Sequence, residues 1–207
     1  CILVPAFDIP KLIADNDTHK VTHLVLVPTM IEMLLNHPDF DARRFKSLES
    51  IAYGGAPISV KLLERLFALL PEVDIQQAYG MTELLGSVTQ LSAHEHKHQH
   101  GKLQSCGRAL VGVRLLILDN EGQEVAIGKT GEICIASDPL MAGYWNNPDQ
   151  TAEVLRDGVS YSGDIGFIDE EGYLYLVDRK KDMIVSGGEN VYSLEVERAL
   201  EKLPGVA

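Results

Sequence analysis

The sequence has few cysteines, few cations and no long apolar run. Its three cysteines lack Cys-x-x-Cys spacing, which argues against a disulfide framework or a cysteine zinc site and favours a reducing compartment. The net charge is −12, and the longest basic run is the three residues Arg179-Lys180-Lys181, so the long basic surface that nucleic acid requires is absent. No apolar run approaches the roughly 20 residues of a membrane span, and no signal-peptide pattern opens the chain. We therefore expect a cytoplasmic protein without nucleic-acid partners or transmembrane segments.

Both ends suggest that the sequence is an internal piece of a longer chain. It opens at Cys1 without a methionine, and it stops at Ala207 just past an amphipathic segment. Its 207 residues, 45% of them hydrophobic, suffice for one core or for one domain and part of another. We expect the middle of a larger protein.

The first half alternates strand and helix. Apolar runs predict strands at 2–4, 24–27, 48–53 and 73–77, and helical spacing predicts helices at 9–15, 30–36 and 60–70. Thr29 and Ser59 are the expected helix caps. This order implies a mostly parallel sheet whose ligands lie beyond the carboxyl ends of its strands. The Gly-Gly-Ala-Pro segment 54–57 and the Tyr79-Gly80 pair both follow such ends.

The helical periodicity disappears after Leu91. Alternating segments predict strands at 114–119, 132–136, 165–169 and 173–177, with hairpin-like turns at 119–122 and 169–172. A last strand at 183–186 and a helix at 193–203 form a third unit. The prediction is an α/β fold in three parts: a partial α/β subdomain at 1–92, a β-rich, barrel-like subdomain at 93–180, and the beginning of a small α+β C-terminal domain at 181–207.

Three segments carry residues suited to nucleotide chemistry. The segment 77–83 (Gln-Ala-Tyr-Gly-Met-Thr-Glu) places an aromatic ring, a hydroxyl and a carboxylate after a strand, which suits a base, a phosphate and a divalent cation. The other two are 161–164 (Tyr-Ser-Gly-Asp) and 178–190, where clustered cations precede Gly-Gly. Together they resemble the adenylate-forming enzymes: acyl-CoA synthetases, adenylation domains of peptide synthetases and beetle luciferases. The resemblance covers nearly the whole sequence and is strongest to bacterial fatty-acyl-CoA synthetases. Residues 131–135 and 143–146 match the family as well and are interpreted as scaffold of the β-rich part.

The resemblance implies a binding site for ATP or AMP with Mg²⁺. Tyr79, followed by Gly80, would stack on adenine, Thr82 would contact the α-phosphate, and Glu83 would bind Mg²⁺. The backbone of a small-residue segment would lie on the other face of the base: Gly54, Gly55, Ala56 and Pro57. Judged alone, that segment is ordinary turn chemistry.

The remaining matches concern the ribose and the second half-reaction. Asp164 matches the residue that accepts both ribose hydroxyls, and Arg179 matches one that contacts ribose or phosphate. An Asx turn and a surface ion pair with Asp178 or Asp182 are the structural alternatives. Lys181 matches the hinge about which the C-terminal domain turns. A loop for the CoA-dependent step would comprise Ser186, Gly187 and Gly188, although a strand-turn-helix joint also explains it.

The implied activity is AMP-forming acid-thiol ligation. ATP converts a carboxylic acid, by expectation a fatty acid, to an acyl-adenylate, which is then transferred to CoA. An aryl acid, a carrier-protein acceptor and a non-catalytic nucleotide-binding module remain open alternatives. The family's Lys-containing phosphate loop and its C-terminal catalytic lysine have no counterpart in these 207 residues, so we expect the fragment alone to be inactive.

One feature lies outside the resemblance. Histidines occupy every second position from His94 to His100, and an extended chain would place them on one face, where they could hold Zn²⁺ or Ni²⁺. A hydrophilic loop is the alternative interpretation. An acyl pocket could be lined by Met30, Met33, Tyr53, Gly55 and Met81. A helix-face core is the alternative for the first two methionines.

Overall fold

A computed structural model describes residues 1–4, 6–186, 189–200 and 203. The chain divides into two compact units. The first comprises residues 1–79 and 91–104, and the second comprises residues 80–90 and 105–207. None of the helices in the described residues combines the length and apolar character needed to cross a membrane.

The first unit contains the predicted parallel sheet. Its strands β1, β2 and β3 pair in parallel, with Leu24 opposite Ile51 and Ile51 opposite Ile75. The β-α-β order therefore produces the arrangement that the alternation predicts. The elements are α1 (Ile9–His19), β1 (His23–Leu26), α2 (Pro28–Asn36), β2 (Ser50–Gly54), α3 (Val60–Leu69), β3 (Asp74–Met81, whose last residues belong to the second unit) and α4 (Ala93–His98).

The N-termini of the helices in this unit show which of the predicted helix caps form. The Ser59 hydroxyl accepts a hydrogen bond from the Leu62 amide at 3.2 Å, so the predicted cap of α3 is confirmed. The predicted cap at Thr29 is wrong, because α2 begins at Pro28, a residue whose fixed φ suits the first helical position. The predicted strand at 2–4 is also wrong, since these residues carry no regular secondary structure.

Apolar side chains from the helices and strands form the core of the first unit. Leu63 of α3 is fully buried, and Ile31 of α2 and Ile51 of β2 are each 1% exposed. Burial of such side chains stabilises each by about 1.5–3 kcal/mol relative to exposure. The core fixes the strand ends that carry Gly54 and Tyr79.

The second unit is rich in antiparallel strands. One sheet has the order β10-β9-β7-β6, with β8 paired to β9, and its described strands leave it open rather than closed into a barrel. A two-stranded sheet of β11 and β12 precedes α6. The elements are β4 (Gly86–Leu91), β5 (Arg108–Ala109), β6 (Val113–Leu118), β7 (Gly131–Ser137), α5 (Pro148–Val154), β8 (Leu155–Arg156), β9 (Val159–Ile168), β10 (Leu174–Arg179), β11 (Ile184–Ser186), β12 (Glu189–Val191) and α6 (Ser193–Leu200).

Both predicted turns use the same chemistry. The Asp119 carboxylate accepts hydrogen bonds from the amides of Glu121 and Gln123 at 2.9 and 2.8 Å. The Asp169 carboxylate accepts from Glu171 and Tyr173 in the same pattern. An Asp side chain that replaces a backbone acceptor stabilises such turns. The second turn joins β9 to β10 and so sets the register of the strands that carry Asp164 and Arg179.

Candidate nucleotide-binding site

Tyr79 and Gly80 lie inside β3 rather than in a turn after it. The strand continues to Met81, four residues beyond the predicted end at position 77. Tyr79 is half-buried. An added Cβ on Gly80 would lie 2.0 Å from the Gly86 carbonyl oxygen, so this position admits only glycine. The Tyr-Gly pair therefore marks a close backbone approach, not a chain reversal.

The Gly-Gly-Ala-Pro segment leaves β2 beside β3 in the first unit. Gly54 is paired with Ala78, and a Cβ on Gly54 would lie 2.3 Å from the Ala78 carbonyl oxygen. Gly55 has φ +78°, in the left-handed region that favours glycine. Local backbone geometry therefore explains why both positions are glycine. Residues 55–57 are exposed at the carboxyl end of the strand, where α/β sheets bind ligands.

Thr82 and Glu83 follow β3 in a short 3₁₀ turn, Thr82–Leu84. Leu85 closes this turn with φ +56°. Thr82 is exposed and Glu83 is half-buried. The turn places a hydroxyl and a carboxylate next to each other at the end of a strand, as a phosphate and cation site requires.

Tyr144 holds the Glu83 carboxylate. Its hydroxyl donates a hydrogen bond to Glu83 Oε1 at 2.6 Å, although the two residues are 61 positions apart. The Met141 amide donates to the Glu83 carbonyl oxygen at 2.8 Å. The hydrogen bond to Glu83, with burial and the negative charge adding to it, raises the pKa of Tyr144 to about 12. Sequence reasoning took residues 143–146 for scaffold and missed this contact.

Asp164 and Arg179 lie directly opposite each other on β9 and β10. Arg179 Nε is 3.6 Å from Asp164 Oδ1, and Asp164 is only 7% exposed. A break in the regular register between Leu176 and Asp178 sets this pairing. The structure therefore brings together the two residues that the resemblance assigns to the ribose. The ion pair that it describes joins Arg179 to Asp164, whereas the structural alternative named Asp178 or Asp182 as the partner.

The connector between β10 and β11, residues 180–183, is held against the larger sheet by Lys180. Lys180 Nζ is 2.7 Å from Glu132 Oε2, and the Lys180 amide donates to the Gly163 carbonyl oxygen at 2.8 Å. Lys181, the predicted hinge residue, is exposed. Exposure is compatible with a hinge, whose assignment stays a prediction.

Asp178 anchors the start of α6. Its Oδ1 accepts hydrogen bonds from the Ser193 hydroxyl at 2.9 Å and the Arg179 amide at 2.8 Å, and the carboxylate is 6% exposed. Ser186 ends β11, while Gly187 and Gly188 lie outside the described residues. The predicted CoA loop is therefore untested.

The histidine stretch forms a helix, not an extended strand. His94 and His98 share the exposed face of α4, with ring centroids 4.6 Å apart, whereas His96 is fully buried. His96 Nε2 is 3.0 Å from the Tyr53 hydroxyl, and a Ser92–Glu95 capping box starts the helix. The described residues contain no cluster of three or more metal-ligating side chains. The interpretation as four imidazoles on one face is therefore wrong.

The candidate acyl-pocket methionines differ in environment. Met30 packs against the core of the first unit, as the core interpretation predicts, whereas Met33 is 53% exposed. Tyr53, also considered for the pocket, is 1% exposed and belongs to the core. These positions do not identify an acid-binding pocket.

Comparison with known proteins decides the family. The model of the AMP-binding enzyme family matches residues 1–145. The chain belongs to the AMP-binding enzyme family. The family's adenylate-forming members are the enzymes that the Tyr-Gly-x-Thr-Glu segment and the Asp164 segment resemble.

Relatives in this AMP-binding family include acid ligases with two kinds of thiol acceptor in their names. The fatty acid–[acyl-carrier-protein] ligase ScoC of Streptomyces coeruleorubidus is 42% identical over 187 residues, covering 90% of this chain and 36% of its own. The medium/long-chain-fatty-acid–CoA ligase FadD8 of Mycobacterium tuberculosis is 38% identical over 207 residues, covering 100% of this chain and 36% of its own. The chain thus spans little more than a third of these AMP-binding relatives.

A solved structure of an AMP-binding relative shares the fold. The O-succinylbenzoate CoA synthetase MenE of Bacillus subtilis, in complex with ATP and a magnesium ion, superposes with a TM-score of 0.82 at 32% identity. The match covers 97% of this chain and 40% of MenE. The α/β fold class predicted from the sequence is confirmed, as part of a larger adenylate-forming architecture.

Proposed function

We propose that the protein containing this chain is an AMP-forming acid-thiol ligase that activates a fatty acid with ATP and transfers the acyl group to CoA. The observation that carries the proposal is that the family's nucleotide residues occur here in order, with Asp164 opposite Arg179 and Glu83 held by Tyr144. The fatty-acid–CoA ligase relative supports the substrate class and the acceptor.

The chemistry requires positioning rather than a general base. A carboxylate is ionised at neutral pH and attacks the α-phosphorus of ATP directly, as the bond from this phosphorus to pyrophosphate breaks. The protein must orient the two anions and offset their charge. The absence of a Ser-His-Asp arrangement among the candidate residues is compatible with this reaction.

Each candidate residue has a role suited to its chemistry. Tyr79 offers an aromatic face to adenine, with residues 54–57 as the small-residue segment for its other face. Thr82 offers a neutral donor to the α-phosphate. Asp164 accepts from the ribose hydroxyls, and Arg179 orients that carboxylate through their 3.6 Å contact.

The residues fit Mg²⁺ as the cation. The Glu83 carboxylate is a hard oxygen ligand of the type Mg²⁺ prefers, it is half-buried beside the exposed Thr82, and only its Oε1 is engaged by Tyr144. When bound, Mg²⁺ supplies charge neutralisation to the phosphates.

The acceptor is the point on which two candidate functions differ. The CoA ligase relative favours CoA, and the segment 186–190 (Ser-Gly-Gly-Glu-Asn) resembles the CoA-synthetase loop. The ScoC relative, named for a carrier protein, makes a carrier-protein thiol the second candidate. The 207 residues alone, which contain no counterpart of the phosphate-loop lysine, should not release pyrophosphate.

The test is pyrophosphate release by the full-length protein across a panel of fatty and aryl acids, followed by product analysis with CoA or a carrier protein as acceptor. We expect turnover that depends on a fatty acid and yields acyl-CoA. Thioester only on the carrier protein would replace the acceptor. ATP binding without turnover on any acid would favour a non-catalytic nucleotide-binding module and refute the proposal.

A further inference from the structure

One segment of the second unit, residues 141–144, binds both the main chain and the side chain of Glu83. Residue 141 binds its main chain, through the 2.8 Å contact from the Met141 amide to the Glu83 carbonyl oxygen. Residue 144 binds its side chain, through the 2.6 Å contact from the Tyr144 hydroxyl to Oε1. A main-chain and a side-chain contact together fix both the position and the direction of a carboxylate.

The segment that supplies these contacts has its own supports. The Tyr144 amide donates to Thr151 Oγ1 at 2.9 Å, and that hydroxyl donates to the Asn147 carbonyl oxygen at 2.8 Å. Gly143 has φ +147°, and a Cβ there would lie 2.9 Å from Thr151 Cγ2. The segment between β7 and α5 is therefore shaped so that Thr151 fixes the backbone that carries the phenol.

A phenol is a suitable partner for a carboxylate that must stay negative. An Arg or Lys at this position would offset the charge of Glu83 and compete with a cation. The Tyr144 hydroxyl is a neutral donor, so it donates to one oxygen and leaves the net charge on the carboxylate. No described side chain is shown donating to the other oxygen, Oε2.

We propose that Tyr144 is a positioning residue that holds Glu83 by Oε1 and directs Oε2 to the divalent cation of the bound nucleotide. This inference rests on the proposed function, in which Glu83 is a magnesium ligand. It assigns a role in cation affinity to the Gly143-Tyr144-Trp145-Asn146 segment, which sequence reasoning took for scaffold. Tyr144 does not touch the reacting atoms and acts through Glu83.

The test compares Tyr144→Phe with wild type in the full-length protein. The substitution removes the hydroxyl but keeps the ring, and Tyr175→Phe removes a hydroxyl from another half-buried tyrosine as the matched control. The first readout is binding of Mn²⁺ in the presence of a non-hydrolysable ATP analogue, followed by electron paramagnetic resonance. The second is the Mg²⁺ dependence of pyrophosphate release.

We expect Tyr144→Phe to weaken Mn²⁺ binding and to raise the half-saturating Mg²⁺ concentration, each about tenfold, the effect of one lost hydrogen bond to a charged group. The rate at saturating Mg²⁺ should stay within about twofold of wild type. Thr151→Val, which removes the support of the Tyr144 amide, should shift both quantities in the same direction. Tyr175→Phe should leave both unchanged.

The outcomes separate this inference from the proposed function. Unchanged Mn²⁺ binding in a folded Tyr144→Phe protein overturns the inference, even if wild type turns over normally. A wild-type protein that binds Mn²⁺ with nucleotide but releases no pyrophosphate refutes the ligase, while the binding comparison still decides the role of Tyr144. A loss of rate at saturating Mg²⁺ with unchanged cation affinity also contradicts the inference. Should Tyr144→Phe not fold, the Mn²⁺ affinity of Thr151→Val decides, and no change there refutes it.

Discussion

Arg179 lies opposite Asp164 across β9 and β10, with 3.6 Å between Arg179 Nε and Asp164 Oδ1. The two residues are 15 positions apart, and the hairpin turn at Asp169 brings them together. One is a nearly buried carboxylate, and the other is a cation whose side chain is 59% exposed. This arrangement fixes the carboxylate and leaves the guanidinium accessible to a further anion.

The first prediction follows from that carboxylate. Asp164→Asn replaces an acceptor of two hydroxyls by a group that is half donor, and we expect the KM for ATP to rise by about tenfold to a hundredfold. Steady-state kinetics with ATP varied will measure this. Asp157→Asn is the matched control, because Asp157 is exposed in a left-handed turn that Asn also adopts. Equal KM values in wild type and Asp164→Asn would contradict the ribose assignment.

The second prediction concerns the close backbone approach at Gly80. Alanine there would place a Cβ 2.0 Å from the Gly86 carbonyl oxygen and 2.6 Å from Ser87 Cα. Because backbone must shift to relieve this overlap, we expect Gly80→Ala to lower the free energy of unfolding by about 1–3 kcal/mol or more. Urea unfolding measures the change. Gly101→Ala is the control, since no atom lies within 4 Å of its added Cβ. Equal stability of both variants would show that the strands do not meet at Gly80.

The parallel sheet and the end of β3 show which parts of the fold could be predicted from the sequence. The parallel sheet was predictable because local apolar spacing indicates each of its strands and helices. The cap of α3 was predictable because the Ser59 hydroxyl binds an amide only three residues away. The extent of β3 was not predictable. Tyr79-Gly80 has the composition of a turn, and only the distant backbone of Gly86 explains why glycine is needed inside a strand.

Helix α4 and the Tyr144–Glu83 hydrogen bond escaped prediction for a common physical reason. Five of the six residues of α4 are polar, so the helix has no apolar stripe, and its stability comes from a capping box and from burial of His96. The Tyr144–Glu83 hydrogen bond joins positions 61 residues apart, and no periodicity encodes such a contact. Local patterns identified the candidate residues, whereas tertiary contacts determine how they are held.

The third prediction is a pH dependence of stability from His96. Burial, the largest effect, lowers its pKa below the ordinary value of 6.5, while the Ser92 carbonyl and the Glu95 charge act in the opposite direction. The unfolded chain therefore binds a proton at a higher pH than the folded chain. Stability from neutral His96 is complete above pH 6.5 and falls as the pH drops toward the folded pKa, by at most about 1.4 kcal/mol per pH unit.

Chemical unfolding between pH 5 and about pH 8 will measure this slope. His96→Phe, which cannot titrate, should flatten the slope below pH 6.5, whatever its effect on absolute stability. His19→Gln changes an exposed histidine and should keep the wild-type slope. A slope that survives in His96→Phe would assign the acid sensitivity to other groups.

The fourth prediction concerns the anchor of α6. The two carboxylate oxygens of Asp178 accept hydrogen bonds from Ser193 and Arg179. Asp178→Asn replaces one of these oxygens by an NH₂ group, which would face one of the same N–H or O–H donors. We expect faster hydrogen exchange in residues 193–200 and a loss of about 1–3 kcal/mol in their local stability. Asp182→Asn, at an exposed position of the same connector, is the control. Unchanged exchange in Asp178→Asn would mean that α6 is held by other contacts.

Mass-spectrometric detection of acyl-adenylate is the decisive experiment for the ligase activity, with the full-length protein incubated with ATP, Mg²⁺ and a fatty acid but without any thiol. We expect acyl-adenylate in wild type that requires the acid, falls strongly in Glu83→Gln, and is consumed when CoA is added. Intact ATP bound beside an unreacted acid, in wild type as in Glu83→Gln, would contradict the ligase activity.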